Sequence, residues 1–250
     1  MSQRADKIVA WLREKADEAG ARGFVCGLSG GIDSAVVARL CQLTHPGHTL
    51  AVLLPCYSRP QDDEDAKLVA RTFSLPFIRI DLGQPYDALI EATHEAARGL
   101  PQHVQVADIK QQLPEANVKP RLRMATLYLI ANSLNYLVAG TGNRSEITLG
   151  YYTKYGDGGV DLLPIGGLLK SEVRSLAKEL SVPKAIIEKA PSAGLWIGQT
   201  DEAEMGFTYE TLEKYLNEGA SAVPKETADR IEQLIRVSGH KRALPPIGPS

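Results

Sequence analysis

The chain has 250 residues, of which 44% are hydrophobic and 23% are charged, and its formal net charge is −2 at neutral pH. This length and composition predict a soluble domain with a sizeable core. A near-neutral chain without a long basic stripe argues against a dedicated nucleic-acid-binding protein, whose affinity rests on lysine and arginine side chains that meet phosphates.

The cysteines and the N-terminal segment indicate the compartment. Cys26, Cys41 and Cys56 form neither a CxxC pair nor a zinc-ligand spacing, which is typical of a reducing environment. Residues 1–20 have the pattern of an amphipathic helix and lack the continuous apolar run of a signal peptide. No apolar run approaches the roughly 18 residues that a membrane span requires. We therefore expect a cytoplasmic protein that does not contact a membrane.

Short apolar runs alternate with helical patterns over the first 142 residues. Strands are predicted at 23–28, 49–56, 76–82 and 136–142, and helices at 1–20, 34–43, 62–73, 84–99 and 121–134. Because each strand is apolar on both faces and helices separate the strands, the pattern predicts an α/β fold with a parallel sheet flanked by helices. Such sheets bind ligands beyond the carboxyl ends of their strands, where the glycine-rich segments after 28 and after 140 fall.

The strand pattern fades beyond residue 150. Residues 151–170 form a glycine-dense segment, and helices are predicted at 171–182, 208–219 and 225–239. Ser171 is the expected N-cap of the first of these helices. The proline-rich tail is expected to be irregular. The sequence therefore predicts one domain over residues 1–250 with a helical, loop-rich C-terminal third.

The segment GLSGGIDSAVV (27–37) joins the first strand to the next helix. A strand, glycine loop and helix in this order direct backbone N–H groups and the positive end of the helix dipole at one spot, which makes an anion site. The glycines let the main chain approach a phosphate, and Ser29 and Ser34 add hydroxyl donors. Asp33 would repel a phosphate unless a divalent cation lay between them. The segment predicts a Mg²⁺–polyphosphate site, with a βα turn that binds nothing as the alternative.

The glycine loop matches neither of two common nucleotide motifs. It lacks the Gly-Lys-Ser/Thr of a Walker A loop and the GxGxxG of a dinucleotide fingerprint. Its SGGIDSA sequence instead resembles the pyrophosphate loop of the N-type ATP pyrophosphatases. These enzymes share a Rossmann-like, adenine-nucleotide α-hydrolase-like fold and cleave ATP between its α and β phosphates to adenylate an acceptor. The resemblance implies that fold and ATP as co-substrate.

Further segments narrow the resemblance to bacterial NAD synthetases. The segments are, in the same order and spacing, NVKPRLRM, GTGNRSE, GYYTKYGDGGVDLLPI, LLKSEVRSLAKEL, KAPSAGLWIGQTDEAEMGFTYETLEKYL and HKRALP. The resemblance covers nearly the whole chain, and it does not include the glutaminase domain of glutamine-dependent members. It implies ammonia-dependent, Mg²⁺-dependent amidation of nicotinic acid adenine dinucleotide, through an acyl-adenylate, with release of AMP and pyrophosphate. It also implies a homodimer.

The same resemblance implies roles for individual residues. The implied ATP-binding residues are Gly27, Leu28, Ser29, Gly30, Gly31, Ile32, Asp33, Ser34, Thr141, Lys170 and Ser192. The implied residues for the dinucleotide are Arg121, Lys154, Asp161, His240 and Lys241. Asp33 and Glu146 are the implied Mg²⁺ ligands, and Asp33 and Lys170 the implied catalytic residues. Gly142 and Asn143 stand where other members carry Asp and His, so no role is carried over to these two positions.

Several of these residues also have interpretations without function. Lys154 and Lys170 fit solvated surface lysines, and Glu146 fits a surface ion pair with Arg144. His240, near the end of the chain, fits an exposed side chain.

Two further features stay open between alternatives. Asp157 is either a base for ammonium or a residue that shapes its turn. The apolar helix 125–137 fits a dimer interface and a buried core position equally well.

Two other classes of protein share parts of this pattern. A GMP-synthetase-like amidating domain or a tRNA thiolase carries a similar loop, but near-neutral charge and the absence of paired cysteines disfavour the thiolase. A nucleotide-binding module of the same fold without catalysis has little need for two separate metal carboxylates, so Asp33 and Glu146 favour an enzyme.

Overall fold

The fold is built on one parallel sheet of four strands. The computed structural model describes residues 2–101, 103, 112–190 and 201–248. The strands are β1 (Phe24–Gly27), β2 (Thr49–Leu53), β3 (Phe77–Arg79) and β4 (Leu137–Val138), in the spatial order β3-β2-β1-β4. All neighbouring strands pair in parallel, which confirms the predicted sheet.

The order of the strands creates a switch point beside β1. The chain moves outward from β1 to β2 and β3 and then returns to place β4 on the other side of β1. Connections that leave β1 and β4 in opposite directions open a crevice at the carboxyl ends of these two strands. The glycine-rich segments that follow residues 27 and 139 both start at this crevice.

Helices surround the sheet and make up the C-terminal third, as predicted. They are α1 (Gln3–Glu18), α2 (Ile32–Thr44), α3 (Pro60–Thr72), α4 (Gly83–Ala97), α5 (Gln112–Ala116), α6 (Val118–Leu134), α7 (Arg144–Leu149), α8 (Lys170–Glu179), α9 (Lys184–Ile187), α10 (Asp201–Met205), α11 (Tyr209–Glu218) and α12 (Lys225–Val237). Residues Ala220–Ala222 and Gly239–Lys241 form short 3-10 helices. None of the helices in the described ranges has the length and apolarity that crossing a bilayer requires.

The sheet buries side chains on both faces. Phe24 and Cys26 of β1 pack with α1, α2, α3 and α8, whereas Val25 faces the opposite way and packs with Val52 and Ala131. This alternation follows the two-residue period of a strand. A separate cluster joins α7, α11 and α12. The three cysteines are buried and unpaired, so they pack as small apolar residues.

Two strand predictions were wrong in extent. β3 has three residues instead of the predicted 76–82 and is not buried, since Phe77 and Ile78 are 38% and 39% exposed. The strand lies at the edge of the sheet, so it has a neighbour on one side only. β4 has two residues because the chain beyond it leaves the sheet, and only an isolated bridge from Ala139 to Leu162 continues the pairing.

The start of α8 also differs from its prediction. Helix α8 begins at Lys170, and its N-cap is Leu169 rather than Ser171. The Leu169 N–H group donates a hydrogen bond to Glu172 at 2.9 Å, so a carboxylate in the first turn satisfies one of the unpaired groups at this helix end. The correction matters for function because it places the Lys170 side chain at the first position of the helix.

Candidate active site

A cavity of about 500 Å³ opens at the carboxyl ends of β1 and β4. The predicted ATP-binding and metal residues that line it are Gly27, Leu28, Ser29, Gly31, Ile32, Asp33, Ser34, Thr141, Glu146 and Lys170. Gly30 belongs to the same loop but packs against α3 instead of lining the cavity. Ser192 lies outside the described residues. The structure thus gathers nearly the whole predicted nucleotide set in one place.

The loop after β1 is held by its own serines. The Ser34 hydroxyl donates to the Gly31 carbonyl at 2.9 Å and accepts from the Ser29 N–H at 3.3 Å. The Ser29 hydroxyl in turn accepts from the Gly31 N–H at 3.3 Å. These bonds close the turn at the N-terminus of α2, where the helix dipole favours an anion. The serines therefore shape the loop as well as line the cavity.

Gly30 meets two demands that only glycine satisfies. Its φ is +77°, and a Cβ there would lie 2.5 Å from the Asp62 carbonyl oxygen.

Gly47 has a similar φ of +84° but open space around it, so it makes a matched control. Gly47→Ala should lower the free energy of unfolding by about 1 kcal/mol through its dihedral alone. Gly30→Ala should lower it by at least about 2 kcal/mol more, because α3 must move. Urea unfolding measures both, and equal losses would show that the contact with α3 does not constrain the loop.

Lys170 joins the two predicted metal carboxylates. Its side chain is only 3% exposed, and its Nζ lies 2.5 Å from Asp33 Oδ2 and 3.4 Å from Glu146 Oε1. Asp33 comes from the first turn of α2, Glu146 from α7 and Lys170 from the start of α8. The interpretation of Lys170 as a surface lysine is therefore wrong. Glu146 lines the cavity and contacts Lys170 there.

The charged groups of this cluster shift one another's pKa values. Burial opposes the charge of Lys170, but the carboxylates of Asp33 and Glu146 outweigh it and raise the pKa of the lysine. Burial raises the pKa of Glu146 well above its ordinary value, Lys170 lowers it and Asp33 raises it further. A cation bound between the two carboxylates would favour the ionised form of Glu146, so added positive charge is favourable at this site.

This donor set fits magnesium. Mg²⁺ prefers oxygen ligands and is commonly held by one or two carboxylates, with substrate phosphates completing its coordination. Across the described ranges, no group of three or more His, Cys, Asp or Glu side chains is arranged to hold a metal ion. Asp33 and Glu146, next to a loop suited to phosphates, match the pattern in which the protein supplies two ligands.

Asn143 is a site residue that sequence reasoning missed. It is fully buried and caps α7: its Oδ1 accepts from the Glu146 N–H at 3.1 Å, and its own N–H donates to Glu146 Oε2 at 3.2 Å. Its Nδ2 donates to Asp33 Oδ1 at 3.0 Å. Asn143 therefore contacts both predicted metal ligands, the Asp33 carboxylate through its side-chain amide and the Glu146 carboxylate through its backbone N–H. The spacing Asn-x-x-Glu is a capping-box signal that was present in the sequence.

Replacing Asn143 tests this capping role. Asn143→Ala should lower the free energy of unfolding by about 1–2 kcal/mol, because it removes the cap of α7. Asn143→Ser keeps a capping hydroxyl and should recover most of that loss. Denaturant titration of both variants gives the comparison. Equal destabilisation by serine and alanine would mean that the capping bond does not stabilise α7.

A tyrosine and an aspartate support Lys170 from the other side. The Tyr209 ring centroid lies 5.1 Å from the Lys170 ammonium, and the Tyr209 hydroxyl donates to Asp201 Oδ2 at 2.9 Å. Both residues are almost completely buried. Their place next to Lys170 depends on the packing of α10 and α11, which no local motif reveals.

Four of the five residues predicted for the second substrate lie together. The Lys154 Nζ donates to the His240 carbonyl at 2.5 Å, and Arg121 donates to the Lys154 carbonyl at 3.5 Å. The Lys241 Nζ donates to the Tyr152 carbonyl at 2.6 Å and is the member that lines the cavity. The C-terminal segment is thus fixed against the segment that follows α7.

Asp161 stands apart from this group. Its Oδ1 accepts from the Tyr128 hydroxyl at 2.9 Å, and its Oδ2 accepts from the Val138 N–H at 2.8 Å. Asp157 lies at the cavity wall, and its Oδ1 accepts from the Thr153 N–H at 2.9 Å. That bond is the one expected of a residue that shapes its turn.

Comparisons with known proteins agree with this arrangement. A family model described as NAD synthase matches residues 4–245. The NH(3)-dependent NAD(+) synthetase of Carboxydothermus hydrogenoformans is 49% identical over 245 residues, which cover 98% of this chain and 96% of that protein. The solved structure of NMN synthetase from Francisella tularensis has a TM-score of 0.88 and 39% identity, covering 98% of this chain and 97% of that chain. The NH3-dependent NAD synthetase from Campylobacter jejuni has a TM-score of 0.79 and 28% identity over 100% of both chains.

These matches settle the fold and the family. The parallel sheet and its structural neighbours confirm the predicted Rossmann-like fold of the adenine-nucleotide α-hydrolase type. The family model spans almost the entire chain, and the relatives are matched over nearly their full lengths. The chain belongs to the NAD synthase family.

Proposed function

We propose that this chain catalyses the ATP- and Mg²⁺-dependent amidation of nicotinic acid adenine dinucleotide by ammonia. Relatives that are 42–49% identical over nearly their whole length are named NH(3)-dependent NAD(+) synthetase. The observation that carries the proposal is the cluster of Asp33, Glu146 and Lys170 at the end of the phosphate loop. The family match over residues 4–245 supports a single NAD synthetase domain.

The chemistry requires activation of a carboxylate, which is a poor electrophile. One oxygen of the nicotinate carboxylate attacks the α-phosphorus of ATP, the bond to the β-phosphate oxygen breaks, and pyrophosphate leaves. Ammonia then attacks the carbonyl carbon of the acyl-adenylate, the bond to AMP breaks, and the nitrogen loses a proton. No covalent bond to the protein forms in either step, which agrees with the burial of all three cysteines.

The residues of the cavity act by positioning and by charge. The loop from Gly27 to Ser34 would hold the phosphates through its backbone and the N-terminus of α2. Lys170, kept protonated by its carboxylate neighbours, would offset the negative charge that develops on the α-phosphate and on the leaving pyrophosphate. Mg²⁺ held by Asp33 and Glu146 would supply further positive charge to the phosphates. Thr141 lines the same cavity and offers a hydroxyl donor.

The acceptor would bind next to the group formed by Arg121, Lys154, His240 and Lys241. Three of these residues are basic at neutral pH, and Lys241 reaches the cavity itself. Such a surface suits the phosphates of a dinucleotide whose nicotinate end enters the cavity. Asp157, at the cavity wall, is our candidate for the group that takes the proton from the attacking nitrogen.

We further propose that two copies associate through α4 and α6. Helix α4 has no buried residue, and α6 buries only Lys119, Pro120 and Ala131, although both helices carry large apolar side chains. Leu129 of α6 is 70% exposed and Leu89 of α4 is 46% exposed. Sedimentation at micromolar concentration should show a dimer that Leu129→Glu dissociates, and a monomeric wild-type protein would refute this interface.

One structurally similar protein points to a second candidate for the substrate that accepts ammonia. The Francisella tularensis protein, with a TM-score of 0.88, is named NMN synthetase. The corresponding acceptor for this chain is nicotinic acid mononucleotide, which carries the same nicotinate carboxylate and lacks the AMP half. The basic group around Lys154 and Lys241 favours the dinucleotide, because its extra phosphate would find partners there.

AMP release in the presence of ATP, Mg²⁺ and ammonium tests these acceptors against each other. Nicotinic acid adenine dinucleotide should give the highest kcat/KM, nicotinic acid mononucleotide a lower value, and XMP no AMP above background. A preference for the mononucleotide would reassign the substrate within the family. Turnover with XMP alone would show that the chain is a GMP-synthetase-like amidating enzyme.

A further inference from the structure

A second lysine contacts the phosphate loop, at the Gly30 carbonyl. Lys189 follows α9, and its ammonium donates to the Gly30 carbonyl at 3.3 Å. The same ammonium lies 2.8 Å from Asp62 Oδ1 and 2.5 Å from Asp65 Oδ2 in α3. It thus connects three separate parts of the chain: the loop, α3 and the segment after α9.

The contact is largely shielded from water. The exposed fractions of the side chains are 21% for Lys189, 17% for Asp62 and 10% for Asp65. Ion pairs with this degree of burial are screened less than surface pairs, so the removal of one partner has a large effect. Gly30 packs directly on the Asp62 carbonyl, which means that a shift of α3 is transmitted to the loop.

The negative charges of Asp62 and Asp65 would affect the binding of a nucleotide. Asp62 and Lys189 line the cavity and Asp65 contacts the same ammonium, so two carboxylates lie near the place where we expect a triphosphate. Carboxylates repel phosphates unless a positive charge lies between or beside them. Among the residues that the structure describes, Arg59 pairs with Asp62, with its Nη2 3.1 Å from Asp62 Oδ1, whereas the cation that pairs with Asp65 is Lys189.

We propose that Lys189 is a positioning residue of the phosphate loop. It neutralises Asp62 and Asp65 and fixes the Gly30 carbonyl, so that the loop presents its amides to the triphosphate without repulsion from α3. The proposal rests on the proposed binding of ATP at this loop. It assigns no contact between Lys189 and the substrate.

Four variants separate this role from its alternatives. Lys189→Met removes the charge, Lys189→Arg keeps it, and Lys189→Met/Asp65→Asn removes a charge of each sign. Lys67→Met is the matched control, because Lys67 lies on α3, is 24% exposed and pairs with Asp63 and Glu64, and Asp63 keeps Arg79 as a second partner. ATP affinity is measured by equilibrium binding, together with the KM for ATP, kcat and the thermal midpoint without ligand.

Each variant has its own expected effect on the affinity for ATP. Lys189→Met should weaken ATP binding and raise its KM at least about tenfold, with a smaller change in kcat, since an unpaired carboxylate then repels the triphosphate. Lys189→Arg should stay near wild type. The double variant should recover part of the lost affinity although it lacks the lysine, because it also lacks one repelling carboxylate. Lys67→Met should bind ATP as the wild type does. If Lys189→Met does not fold, Lys189→Gln carries the same expectation.

Several outcomes would overturn the inference. Unchanged ATP binding by Lys189→Met would show that the lysine does not position the loop. A double variant that binds ATP no better than Lys189→Met would indicate a direct contact between Lys189 and the phosphates. Equal weakening by Lys67→Met would show a general effect of charge on α3. A wild-type protein that does not bind ATP would instead refute the proposed function on which the inference rests.

Discussion

Asp33→Asn should lower kcat for AMP formation at least about 10³-fold, because it removes one of the two carboxylates that we propose hold the catalytic cation. The substitution preserves the size of the side chain and a hydrogen-bond acceptor for Lys170, so the fold should persist. Asp17→Asn is the control, since Asp17 is an exposed acid on α1 that does not line the cavity. Steady-state assays across a range of Mg²⁺ concentrations measure the effect.

The dependence on Mg²⁺ distinguishes a metal ligand from a structural acid. Loss of one ligand should move half-maximal activity to higher Mg²⁺ concentration, whereas loss of a purely structural carboxylate should not. Glu146→Gln should show the same shift. Asp33→Asn with near-normal turnover and an unchanged Mg²⁺ requirement would remove Asp33 from the catalytic site.

Lys170→Met should lower turnover by about 10²–10³-fold, because it removes the ammonium that we propose lies beside the phosphates. It should also destabilise the protein by about 3–5 kcal/mol at low Mg²⁺, because the carboxylates of Asp33 and Glu146 remain buried without their partner. Turnover and denaturant unfolding measure the two effects separately.

Added Mg²⁺ provides a second test of the same cluster. The cation should stabilise Lys170→Met more than the wild type, because the unpaired carboxylates attract it more strongly. Lys178→Met, an exposed position on the same helix, is the matched control and should change neither quantity. Wild-type stability for Lys170→Met would contradict the view that Lys170 neutralises both carboxylates.

Much of the fold and part of the site could be predicted from the sequence. Local patterns predict the order of strands and helices, the parallel sheet and the loop at Gly27–Ser34. The periodicity of apolar residues and the positions of the glycines can be recognised within short segments of sequence. The metal pair of Asp33 and Glu146 came from family resemblance. In the structure both carboxylates contact Lys170, and their role as metal ligands stays a prediction.

The remaining parts depend on tertiary packing. From its local sequence alone, Lys170 fits a surface lysine. Its burial becomes visible only when α8 packs against α2. Lys189 and Tyr209 reach the site from segments whose sequence pattern has no link to the phosphate loop. Asn143 is different, because its capping-box spacing was visible, but its bond to Asp33 joins residues 110 positions apart. β3 was predicted as buried because an apolar run does not reveal whether its strand lies at an edge.

The central claim is that the nicotinate carboxylate attacks the α-phosphorus of ATP held by the loop after β1. The most direct measurement uses nicotinic acid adenine dinucleotide with ¹⁸O in both carboxylate oxygens, together with ATP, Mg²⁺ and ammonium, and analyses the nucleotide products by mass spectrometry. The account predicts AMP that carries one ¹⁸O in its phosphate and a carboxamide that retains the other. Unlabelled AMP, or ADP in place of AMP, would contradict it.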